Sequence, residues 1–205
     1  MDYLSFQEHF KDYTVISVDE IRKSFNKFDL RRLSEWQKKG CISKVINGWY
    51  LFTGREMGEH ELIEVANRIY KPSYVSLEMA LSYHGLIPEA VYGITSVSTR
   101  RTYHFRSSLA DFSYRSIQAR LFFGYDLVAR NNKTAKIASA EKAVLDYLYL
   151  HPELKNAEDM RSIRFNAEQA ADVIDEDVFR EYLDRFASGA LVKRARLFLE
   201  VIQHA

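Results

Sequence analysis

Asn47-Gly48 stands between two short runs, CISKVI and WYLF, that are rich in β-branched and aromatic residues. Asn-Gly flanked in this way is the strongest short signal for a β-hairpin. The residues before it are equally legible. Val18-Asp19-Glu20 opens a helix with acids where the helix dipole favours them, and Ile21 and Phe25 fall four apart on one face. After a break at Asn26-Lys27, a further helix is expected from Phe28 to Lys39, ended by Gly40. Residues 14–52 thus spell short helix, turn, basic helix and hairpin.

The helix at 28–39 has two unlike sides. Leu30, Leu33, Trp36 and Gln37 share one by 3.6-residue periodicity, and Arg31, Ser34, Glu35 and Lys38 share the other, flanked by Arg32 and Lys39. Such an order of elements is that of a winged helix-turn-helix, which presents one helix to the major groove and a hairpin beside it. On this reading Arg31, Ser34, Glu35 and Lys38 form the face toward base edges. Arg32, Lys39 and Lys44 reach flanking phosphates, and Asn47 and Gly48 at the hairpin tip approach the backbone or minor groove. The alternative is a winged helix used for protein docking, with a merely solvated basic face.

The formal net charge of +1 conceals a segregated chain of 205 residues. Residues 1–54 carry 9 Lys/Arg against 7 Asp/Glu, residues 55–92 carry 3 against 6, residues 93–138 carry 8 against 2, and residues 139–205 carry 9 against 13. Local fields follow these regional values rather than the total. In the basic middle, ITSVSTR, TYHFRS, ADFSYRSI, RLFFGYDLVA and KTAKIAS read as strands of a small antiparallel sheet. Arg100, Arg101, Arg106, Arg115, Arg120, Arg130, Lys133 and Lys136 are interleaved there with aromatics, a composition that suits a nucleic-acid or acidic-partner surface. Strand alternation equally allows a solvated basic face over an aromatic core.

Around these segments the spacing predicts helices at 3–12 (apolar members Leu4, Phe6 and Phe10), at 56–70, after Ser76 as cap, and at 139–151. Two or three more are expected around 165–174, 178–186 and 191–202. The fold class is α+β, with an N-terminal winged helix-turn-helix at 1–54 and a mixed domain at 55–205. No run approaches the length of a bilayer-spanning helix, and the N-terminus lacks the apolar core of a signal peptide. With one cysteine, Cys41, no internal disulfide can form, and the expected compartment is the cytoplasm.

Catalytic constellations are weak. The six histidines do not pair at metal-ligand spacing, and His60-Glu61-Leu62-Ile63-Glu64 has Glu64 where a HExxH site needs its second His. Glu141-Lys142 lacks the intervening residue of an acid-x-lysine nuclease pattern. No catalysis, metal or cofactor is expected.

Residues 72–117, PSYVSLEMALSYHGLIPEAVYGITSVSTRRTYHFRSSLADFSYRSI, resemble the central part of AbiEi-type antitoxins, and 138–154, ASAEKAVLDYLYLHPEL, resemble the helix that follows it in that family. The resemblance implies an antitoxin of a type IV, abortive-infection toxin–antitoxin pair. It also implies an N-terminal winged helix that represses its own operon at inverted repeats in double-stranded DNA. The implied partner is a nucleotidyltransferase-like toxin, and the implied antitoxin domain contains the basic middle; no membrane partner is implied, and self-association on DNA would double the charge offered to the operator. A stand-alone winged-helix regulator is the alternative.

Overall fold

The computed structural model describes residues 1–88 and 93–203. Its first part runs α1 (Tyr3–Phe10), β1 (Ile16–Ser17), α2 (Val18–Ser24), α3 (Arg31–Lys38), β2 (Ile42–Ile46) and β3 (Trp49–Phe52). The three strands form an antiparallel sheet in the order β1-β3-β2. Ser17 starts α2 with a complete capping box: its hydroxyl accepts from the Glu20 backbone N–H, and the Glu20 carboxylate accepts from the Ser17 N–H. Phe6, Phe10, Ile16, Ile21, Leu33, Trp36, Ile42 and Phe52 make one buried cluster. Leu4, expected among the apolar members of α1, is exposed, because Tyr3, Phe6 and Phe10 share the covered side of this short helix and Leu4 falls off it.

The helix expected from Phe28 begins at Arg31. The Asp29 carboxylate accepts the Arg31 backbone N–H at 3.0 Å, a contact that lets the chain turn before the helix starts. The hairpin at Asn47-Gly48 is present. Only Gly48 takes positive φ (80°), and the ladder shifts register between Lys44 and Ile46, so a bulge carries part of the turn.

The second part contains α4 (Glu59–Ile69), β4 (Ser73–Val75), α5 (Leu77–Tyr83), β5 (Gly93–Ser98), β6 (Tyr103–Arg106), β7 (Asp111–Ser116), a 3-10 turn at Ala119–Leu121, β8 (Tyr125–Arg130) and β9 (Lys133–Ala138). It continues through α6 (Ala140–Leu150), α7 (Ala157–Ser162), α8 (Ala167–Val173), α9 (Glu176–Phe186) and α10 (Gly189–Gln203). The C-terminal helices are thus four after α6, including α7, which the spacing did not suggest. Asn156 caps α7 through a capping box with Asp159.

The strands expected at 93–138 form, but not as a purely antiparallel sheet. The sheet has six strands in the order β6-β7-β5-β4-β9-β8, with β5·β7 and β4·β9 parallel. The short β4, read in the sequence only as a stretch between two helices, is inserted at its centre; its SYV is buried on both faces and carries no alternation to betray it. Side-chain alternation assigns the two faces. Tyr114 on β7 donates its hydroxyl to the Ala66 carbonyl of α4 at 3.0 Å, and Tyr74 on β4 donates to Asp146 of α6 at 2.8 Å. The sheet therefore lies between α4 and a helical layer that includes α6, over one large core that also takes in Val15, Val45 and Leu51.

Inside the helical face lies a polar network without solvent exposure. The Lys142 ammonium pairs with Asp146 one turn on and donates to the Tyr74 hydroxyl at 2.8 Å, while Ser76 donates to Asp146 at 2.9 Å. Ser76 is the residue before α5, as expected, but its hydroxyl serves Asp146 rather than the helix end. Burial pushes the Lys142 ammonium down from its ordinary value, and the Asp146 carboxylate opposes that shift.

Candidate nucleic-acid interface

The orientation of α3 is set by aromatic packing. Trp36 sits against Phe6 at a centroid distance of 4.8 Å, Tyr3 at 5.4 Å and Phe28 at 5.8 Å. With Leu33 and Trp36 buried, the 100° turn per residue aims Arg31, Ser34, Glu35, Lys38 and Lys39 at solvent, and all five are exposed. Arg31 keeps only an exposed ion pair, Nε to Asp29 Oδ1 at 3.2 Å, which water screens and a ligand displaces at little cost. The Arg31 backbone N–H is the first cause that holds the Asp29 carboxyl below its usual range. Arg32, half-buried at the flank, donates to the Met1 carbonyl.

β2 packs beside α3 and presents Lys44 to solvent opposite Tyr50. The hairpin tip is tethered rather than free: the Val18 N–H donates to the Gly48 carbonyl at 2.9 Å. Asn47 and Gly48 line a cleft with Asp19, Glu20, Lys23 and Arg68, so acids share their surroundings. The structure thus brings Arg31, Ser34, Glu35, Lys38 and Lys39 onto one face, sets Lys44 on the adjoining strand, and ties Asn47-Gly48 to the start of α2.

Lys27 belongs to the break at Asn26-Lys27 that precedes α3. It is exposed just before α3 and lines a groove of about 350 Å³ with Asn26, Asp29 and Arg32. A cation in the loop that leads into a basic helix was the available signal.

The cations of 93–138 are not gathered into one patch. Arg106 forms a two-point ion pair with Asp111 at 2.8 and 2.9 Å; Arg115 donates to the Leu150 carbonyl, and Arg120 to the Arg185 and Phe186 carbonyls. Arg100 lies 4.5 Å from the Tyr70 ring centroid, with exposed Arg101 next to it. Arg130, Lys133 and Lys136 belong to the β8–β9 hairpin, separated from Arg106 and Arg115 by β5 and β4. Lys136 Nζ stands 5.4 Å from the Tyr125 ring, and Lys133 is partly buried, with its ammonium pushed down by desolvation and by nearby Arg55. Several of these charges therefore fasten the fold.

The residues of the near-HExxH motif also have internal partners. His60 Nε2 meets the Val128 carbonyl at 3.1 Å, and Glu64 accepts from Thr14 and pairs with Arg68. Among the described residues no group of three or more His, Cys, Asp and Glu is placed to hold a metal ion, and no helix is long and apolar enough to cross a membrane.

No protein-family model matches the chain, and no curated protein matches it either.

Proposed function

We propose that residues 1–54 are a winged helix-turn-helix that binds operator DNA, and that the protein is an antitoxin and transcriptional autorepressor whose 55–205 domain neutralises a nucleotidyltransferase-like toxin. The observation that carries the DNA-binding part is the exposed face of α3, where Arg31, Ser34, Lys38 and Lys39 face solvent above an aromatic base. The order α1-β1-α2-α3-β2-β3, with β3 paired between β1 and β2, supports the same reading.

In this mechanism α3 enters the major groove. Arg31, Ser34 and Lys38 contact base edges, with Glu35 beside them as an acceptor for a cytosine amino group. Arg32, Lys39 and Lys44 hold phosphates and set the register. Lys27 and the Asn47-Gly48 tip flank that surface. The likeness of residues 72–117 and 138–154 to AbiEi-type antitoxins supports the toxin-directed half; those residues supply β4 to β7 and α6.

Separation of the two activities tests the proposal. Reversal of charge at Arg31 and Lys38 (Arg31→Glu with Lys38→Glu) abolishes binding to the DNA upstream of the gene, while rescue of growth against the co-expressed toxin stays intact. Loss of rescue in a folded variant would instead make α3 a protein-docking helix.

A further inference from the structure

β8 (Tyr125–Arg130) is an outer strand of the six-stranded sheet, and its free edge has features of a pairing surface. The turn that joins it to β9 holds Asn131 and Asn132 at φ of 51° and 59°, the geometry of a two-residue hairpin loop. Arg130 and Lys133 close that loop as a hydrogen-bonded pair, so the ladder alternates from there: Val128 and Asp126 bond to β9, and the N–H and C=O of Leu127 and Ala129 point away from it. The opposite edge strand, β6, has four residues and carries the Arg106–Asp111 ion pair. β8 has six residues, no proline, and Leu127 exposed by 63%. Natural edges are usually blunted by short length, proline or charge, and β8 is neither short nor proline-bearing.

The charges on β8 are also unspent. Asp126 and Arg130 are both exposed, lie on the same side of the strand four residues apart, and make no ion pair with the described residues of the chain. An acid and a base at this spacing are self-complementary. When β8 meets a second β8 antiparallel about a two-fold axis at Val128, Asp126 stands opposite the partner's Arg130 and Arg130 opposite the partner's Asp126. In the same register Leu127 and Ala129 exchange their outward hydrogen bonds with the partner's Ala129 and Leu127. The two conditions, free backbone groups in phase and opposite charges in register, are met together by this one alignment. A shift by one residue places Asp126 opposite Ala129 or Asn131 and leaves both charges unmatched.

We infer that β8 is a homodimerisation edge, through which two copies join their sheets into one continuous sheet by an isologous, two-fold contact. A two-fold would also present two α3 helices to an inverted repeat. That consequence rests on the DNA-binding reading, whereas the dimer itself does not, and its test uses no DNA. The contact is narrow, so the dimer is weak, with a Kd on the order of 10 µM.

Sedimentation velocity on the full chain over a concentration range that spans this value is the test. The wild type shifts from monomer to dimer. Arg130→Asp and Asp126→Arg each turn both cross-strand pairs into like-charge pairs and weaken association by about tenfold or more. An equimolar mixture of these two variants restores opposite charges at both positions, so it dimerises where each variant alone does not. Leu127→Pro removes an outward N–H that β9 does not use and also gives a monomer. A wild type that stays monomeric across the range, variants that dimerise as tightly as wild type, or a mixture that fails to associate would each overturn the inference.

Discussion

The guanidinium of Arg68 on α4 lies 2.6 Å from the carboxylate of Glu20 on α2. The same guanidinium reaches Glu64 at 3.5 Å and sits between the Tyr13 and Trp49 rings, 5.5 and 5.8 Å from their centroids. Glu20 is also the residue that closes the capping box of α2. One side chain of α4 thereby contacts both the start of α2 and the first residue of β3.

Replacement of Arg68 by alanine leaves the half-buried Glu20 and the buried Glu64 without their cation. The expected loss is about 1–3 kcal/mol of unfolding free energy, read as a lower urea midpoint. Because the contact joins the two parts of the chain, the loss is accompanied by earlier fluorescence change at Trp49, whose ring flanks Arg68.

Acid weakens the same contact. Burial pushes the Glu20 carboxyl up, but hydrogen bonds from the Ser17 backbone and hydroxyl together with the Arg68 charge outweigh it, and the group lies below its ordinary value of 4.5. A carboxyl whose folded value is depressed contributes stability that is complete above the unfolded value and is lost as pH falls through the folded one. Stability should therefore fall below about pH 4.5, and Glu20→Gln should flatten that fall. Urea midpoints measured at successive pH values check both; equal slopes for wild type and variant would refute the assignment.

The buried pair Lys142–Asp146 gives an asymmetric result. Asp146→Ala leaves an ammonium among Tyr74, Phe123 and Phe186 with no counter-charge, at a cost of about 3–5 kcal/mol. Removal of both charges in Lys142→Met with Asp146→Leu is less damaging than Asp146→Ala alone, because no unpaired ion remains. Thermal unfolding of the three proteins measures the order.

At Gly48 the test is of backbone strain alone. Its φ is +80°, and a Cβ built there meets nothing within 4 Å, so Gly48→Ala has room but an unfavourable dihedral. The expected cost is about 1 kcal/mol, with the hairpin retained.

The parts of the fold that the sequence disclosed were those with strong local chemistry. Val18-Asp19-Glu20, Leu33 with Trp36 and Asn47-Gly48 each combine a helix start, a period or a turn residue with its neighbours; α2 and the β2–β3 hairpin formed where they indicated, and α3 formed three residues later than expected. β4 was hidden because SYV is buried on both faces, and the parallel pairings of β5 with β7 and β4 with β9 depend on crossovers that no local pattern encodes. Asn131-Asn132 was a hairpin turn in plain view but lacked the glycine that usually marks one. At the candidate site the exposed face of α3 was legible from periodicity. The dispersal of the basic residues of 93–138 was not: whether Arg115 meets a solvent phosphate or the Leu150 carbonyl is settled by tertiary packing.

The most direct measurement is the affinity of the full chain for the DNA upstream of its gene, by fluorescence anisotropy, as salt is raised. If α3 reads the operator, log K falls linearly with log salt. Arg31→Ala and Lys38→Ala each weaken operator binding by about 1–3 kcal/mol and relax sequence preference, and Lys39→Ala weakens binding to all sequences alike and lowers the salt slope by about one. Affinity that ignores salt and is unchanged in all three variants would contradict a DNA-binding role for this helix.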